Sequence, residues 1–225
     1  MPRLQVVSVV DAIADDLRAR ILRGELEPGT ALTEADIAST YEVARPTGKA
    51  ATEQLVRDGL LVRGNHRSAR VVELGPDDVR DIYRTRAHLE REVLRRLARE
   101  RTDVPAARAA NAEIAALVDG STLDVVAPDM RFHTALVDAL GSPRTTRMYR
   151  SLVTEVTLCM ARVQGRGLLD NASIAREHAL ILDLVTAGDG DGAAALLDEH
   201  VGRARERLVR ALGGTPGPEA DLPPR

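Results

Sequence analysis

Apolar residues recur along most of this chain at intervals of three and four, the spacing that puts them on one face of a helix. Val9, Val10, Ile13, Leu17, Ile21 and Leu22 predict a helix over 9–23, with Gly24 as its C-cap. A turn follows at Glu27-Pro28-Gly29-Thr30. From Thr33 to Leu61 the pattern predicts two short helices joined by a tight turn. Leu32, Ile37 and Ala38 supply the inner contacts of the first, and Val43 plugs the turn at Tyr41 to Ala44. Arg45 opens the second helix, whose inner face is Ala51, Leu55 and Val56. Pro46 suits its first turn, where a missing N–H costs nothing. The period then shortens. Leu60–Arg63 and Ala69–Val72 predict two strands around Gly64-Asn65-His66-Arg67, a hairpin with a basic tip. A helix-turn-helix followed by such a hairpin is a winged helix.

Gly75-Pro76 marks a boundary, and helical periodicity returns. Val79, Ile82, Tyr83, Leu89, Val93, Leu94 and Leu97 predict a helix over 77–101. Further helices are predicted over 105–118, 129–140, 144–164, 171–187 and 193–212, with a cap-like Ser121-Thr122-Leu123-Asp124 ahead of the second of these. Gly141-Ser142-Pro143, Gly165-Arg166-Gly167 and Gly188–Gly192 separate them. About six helices with short connections imply an antiparallel bundle. The expected organisation is mainly α: a winged helix-turn-helix at 1–75, an all-α antiparallel bundle at 76–213, and a Gly/Pro-rich disordered tail at 214–225.

Composition narrows the classes. No run of 18 apolar residues exists, so no membrane-spanning helix is expected, and the start lacks the apolar stretch of a secretory signal. One cysteine, Cys159, excludes an internal disulfide and fits a reducing cytoplasm. Aromatics at 2% argue against base stacking on single strands. The net charge of −3 does not announce a nucleic-acid binder, but its distribution does. Six cations between Arg45 and Arg70 face only Glu53 and Asp58, a local +4. Arg45, Thr47 and Lys49 lie on the outward face of the second helix, the placement that enters a major groove, and His66 or Arg67 at the hairpin tip reaches the adjacent minor groove. The alternative is a solvated basic face.

The stretch ILRGELEPGTALTEADIASTYEVARPTGKAATEQLVRDGLLVR resembles the DNA-binding domain of the GntR family of bacterial transcription regulators. Gly24, Pro28-Gly29, Leu32-Thr33-Glu34, Leu55 and Gly59-Leu60 carry the likeness. The resemblance implies contacts to DNA from Thr33, Glu34, Arg45, Pro46, Thr47, Lys49, His66 and Arg67. The family's usual Ser-Arg-Thr-Pro-Val-Arg-Glu reads here Ala44-Arg45-Pro46-Thr47-Gly48-Lys49-Ala50. Lys49 offers a point charge where the family has an arginine fork.

Two features of the second half point to chemistry. Arg86 sits on an apolar stripe, where a buried guanidinium needs an anion. That anion is either an internal carboxylate such as Glu90 or the carboxylate of a ligand; a snorkelling side chain is the third option. Asp129 and His133 share a helix face at i, i+4, and His178 and His200 lie 11 residues either side of Asp189, level with one another across a helical hairpin. Three imidazoles and a carboxylate facing a bundle core suit a divalent metal, although core histidines at such positions are common. Residues 76–212, and DMRFHTALVDALGSP above all, resemble the helical effector domain of the FadR-type, or FCD, branch of the same family. That likeness implies a metal on Asp129, His133, His178 and His200, zinc first with nickel or manganese as alternatives. It also implies a small carboxylate effector held with help from Arg86. His88 is expected at the surface.

The leading expectation is a cytoplasmic, homodimeric, ligand-responsive regulator, a repressor before an activator, bound to a double-stranded palindromic operator. One rival is a metal-dependent hydrolase, for which Glu177 is the sole candidate base. The other is a metal sensor in which the ion itself is the signal.

Overall fold

The computed structural model describes residues 8–63, 68–117, 122–161 and 170–217. The chain divides into two compact units, 1–73 and 74–225.

The first unit contains helices α1 (Val9–Leu22), α2 (Glu34–Thr40) and α3 (Arg45–Arg57), with strands β1 (Ala31–Leu32), β2 (Leu61–Arg63) and β3 (Ala69–Val71). Ile13, Leu17, Ile21, Ile37, Ala51, Leu55 and Leu60 form its core. The middles of the helical stripes read from the sequence are therefore buried, whereas Val9, at the first turn of α1, is 58% exposed and Val56 is half-buried. Thr33 caps α2, its Oγ1 accepting from the Asp36 amide at 3.0 Å. Gly59, at φ +77, ends α3 and lets the Leu60 amide bond back to the Leu55 carbonyl. The strands form one antiparallel sheet in the order β1-β3-β2. Leu32 is a correction: it belongs to β1, pairing with Ala69, and not to the first recognition-unit helix. A two-residue strand carries no period of its own, so nothing in the local pattern marks it. The hairpin strands were expected; its tip at 64–67, with His66 and Arg67, lies outside the described residues.

In the second unit the described residues form α4 (Pro76–Arg99), α5 (Pro105–Ala116), α6 (Thr122–Asp138), α7 (Pro143–Ala161), α8 (Asn171–Ala187) and α9 (Gly190–Ala211). α4 lies along α9 and also meets α6, α7 and α8. It thus forms the axis against which the site-bearing helices pack. α6 continues through Pro128, which lacks the N–H for one intrahelical bond. The α8–α9 connection is tighter than expected. Gly188, at φ +90, ends α8, and the Asp189 carboxylate accepts from the Gly192 amide at 2.8 Å, starting α9 three residues early. Gly190 permits this, because a Cβ there would sit 2.9 Å from the Arg95 Cα on α4. Two contacts involve residues just past 213. Arg80 donates to the Thr215 carbonyl at 2.6 Å, and the Gly217 amide donates to Glu206 at 2.5 Å. None of the described helices is long and apolar enough to cross a membrane.

Candidate metal centre and nucleic-acid interface

α6, α8 and α9 bring Asp129, His133, His178 and His200 together, all four buried. One ligand atom from each lies within 4.8 Å of the others. Nε2 of His178 is 3.3 Å from Nε2 of His200 and 3.4 Å from Oδ1 of Asp129, and Nε2 of His133 is 3.8 Å from the same oxygen. A tetrahedral ion with bonds of about 2.0–2.1 Å spaces its ligands roughly 3.3 Å apart. These three pairs lie within about 0.5 Å of that spacing, and the remaining pairs, all inside 4.8 Å, would draw in around an ion.

Tautomers strengthen the fit. Glu90, on α4, lies 2.6 Å from Nδ1 of His133, and Glu177, on α8, lies 2.7 Å from Nδ1 of His200. A carboxylate only accepts, so Nδ1 carries the proton in both rings and the Nε2 lone pairs face the cluster. Histidines that bind metals are oriented in this way. Nε2 of His133 is buried and has no hydrogen-bond partner among the described residues. An ion at the centre of the cluster would satisfy it. His178 is held differently, stacked on Phe132 with ring centres 3.7 Å apart, and its Nδ1 also lacks a partner among the described residues.

Both carboxylates are themselves fixed. Glu90 Oε1 accepts from Arg86 Nε at 2.7 Å and from the Tyr149 hydroxyl at 2.5 Å. Glu177 Oε1 accepts from Arg203. Burial acts to raise the Glu90 carboxyl, but His133 and Arg86 beside it reverse this, and it stays ionised well below the usual carboxylate range. Glu177 is lowered likewise, against its burial, by His200 and Arg203. Burial pushes His133 below the ordinary histidine value, and His178 further, aided there by His200 and His133. Neutral imidazoles are the form that binds a metal.

Arg86 thus has the internal partner that the sequence offered, Glu90, yet its Nη2 remains buried without a partner among the described residues. It lines a cavity of about 160 Å³ beside Asp129 and His200. Glu177, offered as a general base, is instead occupied by His200 and Arg203. Arg203 was not foreseen. Its signal was available, since a cation three residues after His200 falls on the apolar stripe of α9, the same anomaly that singled out Arg86. His88 is exposed, as expected.

In the first unit, Arg45, Pro46 and Lys49 are exposed at the start of α3, and Thr47 is half-buried. Among the described residues Lys49 has a loose contact with Glu53, 3.9 Å. Thr33 and Glu34 are half-buried at the start of α2, Thr33 as its cap and Glu34 3.7 Å from Arg63. The departure at Gly48 has a structural reason. A Cβ there would lie 2.8 Å from the Glu34 carbonyl oxygen, so glycine allows α2 and α3 to approach more closely than the family's valine would.

Residues 9–71 match the bacterial regulatory proteins of the gntR family, and residues 81–203 match the FCD domain. The chain is similar to the HTH-type transcriptional regulator BphR of Paraburkholderia xenovorans strain LB400, at 29% identity over 225 residues, covering 95% of this chain and 90% of that one. It is also similar to the HTH-type transcriptional repressor NanR of Salmonella newport strain SL254, at 25% identity over 215 residues, covering 85% and 82%. Among solved structures, a GntR transcriptional regulator from Rhodococcus sp. RHA1 shares the fold, with a TM-score of 0.77 at 23% identity, over 91% of this chain and 99% of that one. The chain belongs to the GntR family of bacterial regulatory proteins, in its FCD-domain branch, and is a DNA-binding transcription regulator rather than an enzyme.

Proposed function

We propose that this regulator is a homodimeric, cytoplasmic repressor whose helical unit holds a divalent metal, zinc first, and responds to a small carboxylate effector. Asp129, His133, His178 and His200 hold the ion. Bound there, the ion would supply a positive centre, and an acid would join it by expanding the coordination beyond the four protein ligands. Arg86 assists: it lines the same cavity, and its buried Nη2 has no partner among the described residues. The observation that carries the reading is the pair of carboxylate-backed imidazoles whose Nε2 atoms converge with a third imidazole and Asp129.

Arg45 and Lys49 at the exposed start of α3 contact the operator, with Thr33, Glu34, Pro46 and Thr47 beside them and His66 and Arg67 at the wing. A dimer presents two such units to a palindromic site. The effector acts by binding the free and DNA-bound states with different affinity. The cavity next to the ion favours an acid over the ion as the signal, since a sensor of the metal alone has no use for it.

The test is the affinity of the full chain for its own upstream DNA, measured across salt concentrations after chelation, after zinc is restored, and with candidate acids added. The reading predicts salt-sensitive binding that changes on adding an acid to zinc-loaded protein. If zinc alone produces the whole change, the metal-sensor reading stands in its place.

A further inference from the structure

Two guanidiniums flank the cavity, and each is tied from behind to a site histidine. Arg86 reaches His133 through Glu90, and Arg203 reaches His200 through Glu177. The hydrogen bonds to these carboxylates use Nε of Arg86 and Nη2 of Arg203. Nη2 of Arg86 and Nη1 of Arg203 remain buried, with no acceptor among the described residues. Both side chains line the same cavity of about 160 Å³. Tyr83, whose hydroxyl is buried, lines it beside Arg86, whose guanidinium carbon is 5.6 Å from the Tyr83 ring centre.

Buried donors without acceptors are destabilising, most of all when charged. Here they fall into two groups on two separate relays, Arg86, with Tyr83 beside it, and Arg203 alone. A ligand with one carboxylate satisfies one group and leaves the other. Charge points the same way. Arg86, Arg203 and Arg207 line the cavity with Asp129, Asp170 and Glu177, so the lining is balanced before a divalent ion adds two positive charges. A volume of about 160 Å³ suits a short acid better than the ligands that fill clefts of about 300–1,000 Å³.

Building on the metal-and-acid reading above, we propose that the effector is a short dicarboxylate that spans the cavity, one carboxylate meeting Arg86 and Tyr83 and the other meeting Arg203. Each end also tightens the relay behind it, since the same guanidinium that grips the ligand fixes the carboxylate orienting His133 or His200.

Calorimetric titration of the zinc-loaded full chain tests this with four-carbon acids that differ by one carboxylate: succinate and malate against butyrate and 2-hydroxybutyrate. The diacids are expected to bind about tenfold tighter or more, the worth of one charge-assisted contact group. Arg203→Lys, which keeps a cation beside Glu177 but loses the planar fork, is expected to weaken the diacids by a larger factor than the monoacids, closing most of the gap between the two classes. Tyr83→Phe is expected to weaken both classes. Monoacids that match the diacids would overturn the two-ended ligand while leaving an acid site in place. Diacid affinity untouched by Arg203→Lys would overturn the placement of the second end. If none of the four binds, the acid site itself is wrong. Should Arg203→Lys fail to fold, the comparison on the unaltered chain decides alone.

Discussion

The Glu90 carboxylate lies 2.6 Å from Nδ1 of His133, and its other oxygen is held by Arg86 and Tyr149. One buried acid on α4 therefore sets the tautomer of a site histidine on α6 and neutralises the guanidinium that faces the cavity. Glu90→Gln is expected to lower metal affinity about 10–100-fold, the usual effect of losing such a partner. It also leaves Arg86 without its counter-charge, which costs about 3–5 kcal/mol. Metal titration and denaturant unfolding of the variant read the two effects separately.

At the DNA-reading end, Arg45→Ala and Lys49→Ala are expected to weaken operator binding. Each should reduce the slope of log affinity against log salt by about 1 where the cation meets a phosphate. Both side chains are exposed, so melting temperature and metal content should stay as they are. Anisotropy titrations at several salt concentrations check the first statement, and calorimetry checks the second.

Gly48→Ala sets helix propensity against packing. Alanine gains about 1 kcal/mol in a helix interior. The added Cβ would meet the Glu34 carbonyl oxygen at 2.8 Å and the Ala38 nitrogen at 3.3 Å, both backbone atoms that cannot rotate away. Overpacking of this kind costs about 1–3 kcal/mol, so the variant is expected to be destabilised overall. A rise in its unfolding midpoint would show that α2 and α3 separate freely.

Much of this architecture is visible in periodicity alone. The stripes Ile13-Leu17-Ile21 and Val93-Leu94-Leu97 are buried as their spacing requires. The symmetric placement of His178 and His200 about Asp189 brings their rings within 4.8 Å, centre to centre. Features set by partners distant in sequence were harder to read. β1 exists only because β3 pairs with it, and Arg203 is held by Glu177, which faces it from another helix. Charge on an apolar stripe was the usable signal, applied to Arg86 and missed at Arg203.

The metal-free protein is expected to lose stability as pH falls below the ordinary histidine value of 6.5. The sign follows from linkage. His133 and His178 have folded values below the unfolded one, so the unfolded chain binds protons first. Their stabilising contribution is complete above pH 6.5 and is lost as pH falls from there towards the lowered folded values. Zinc, by holding these rings deprotonated, should shift the loss to lower pH. Thermal unfolding across pH, with and without zinc, shows whether the two curves part in that direction.

Native mass spectrometry of the full chain and of His133→Ala addresses the central claim most directly. The account predicts one divalent ion per chain in the unaltered protein and none in the variant, with operator affinity measured without effector preserved in both. A variant that keeps its ion would contradict the assignment of Asp129, His133, His178 and His200 as the metal centre.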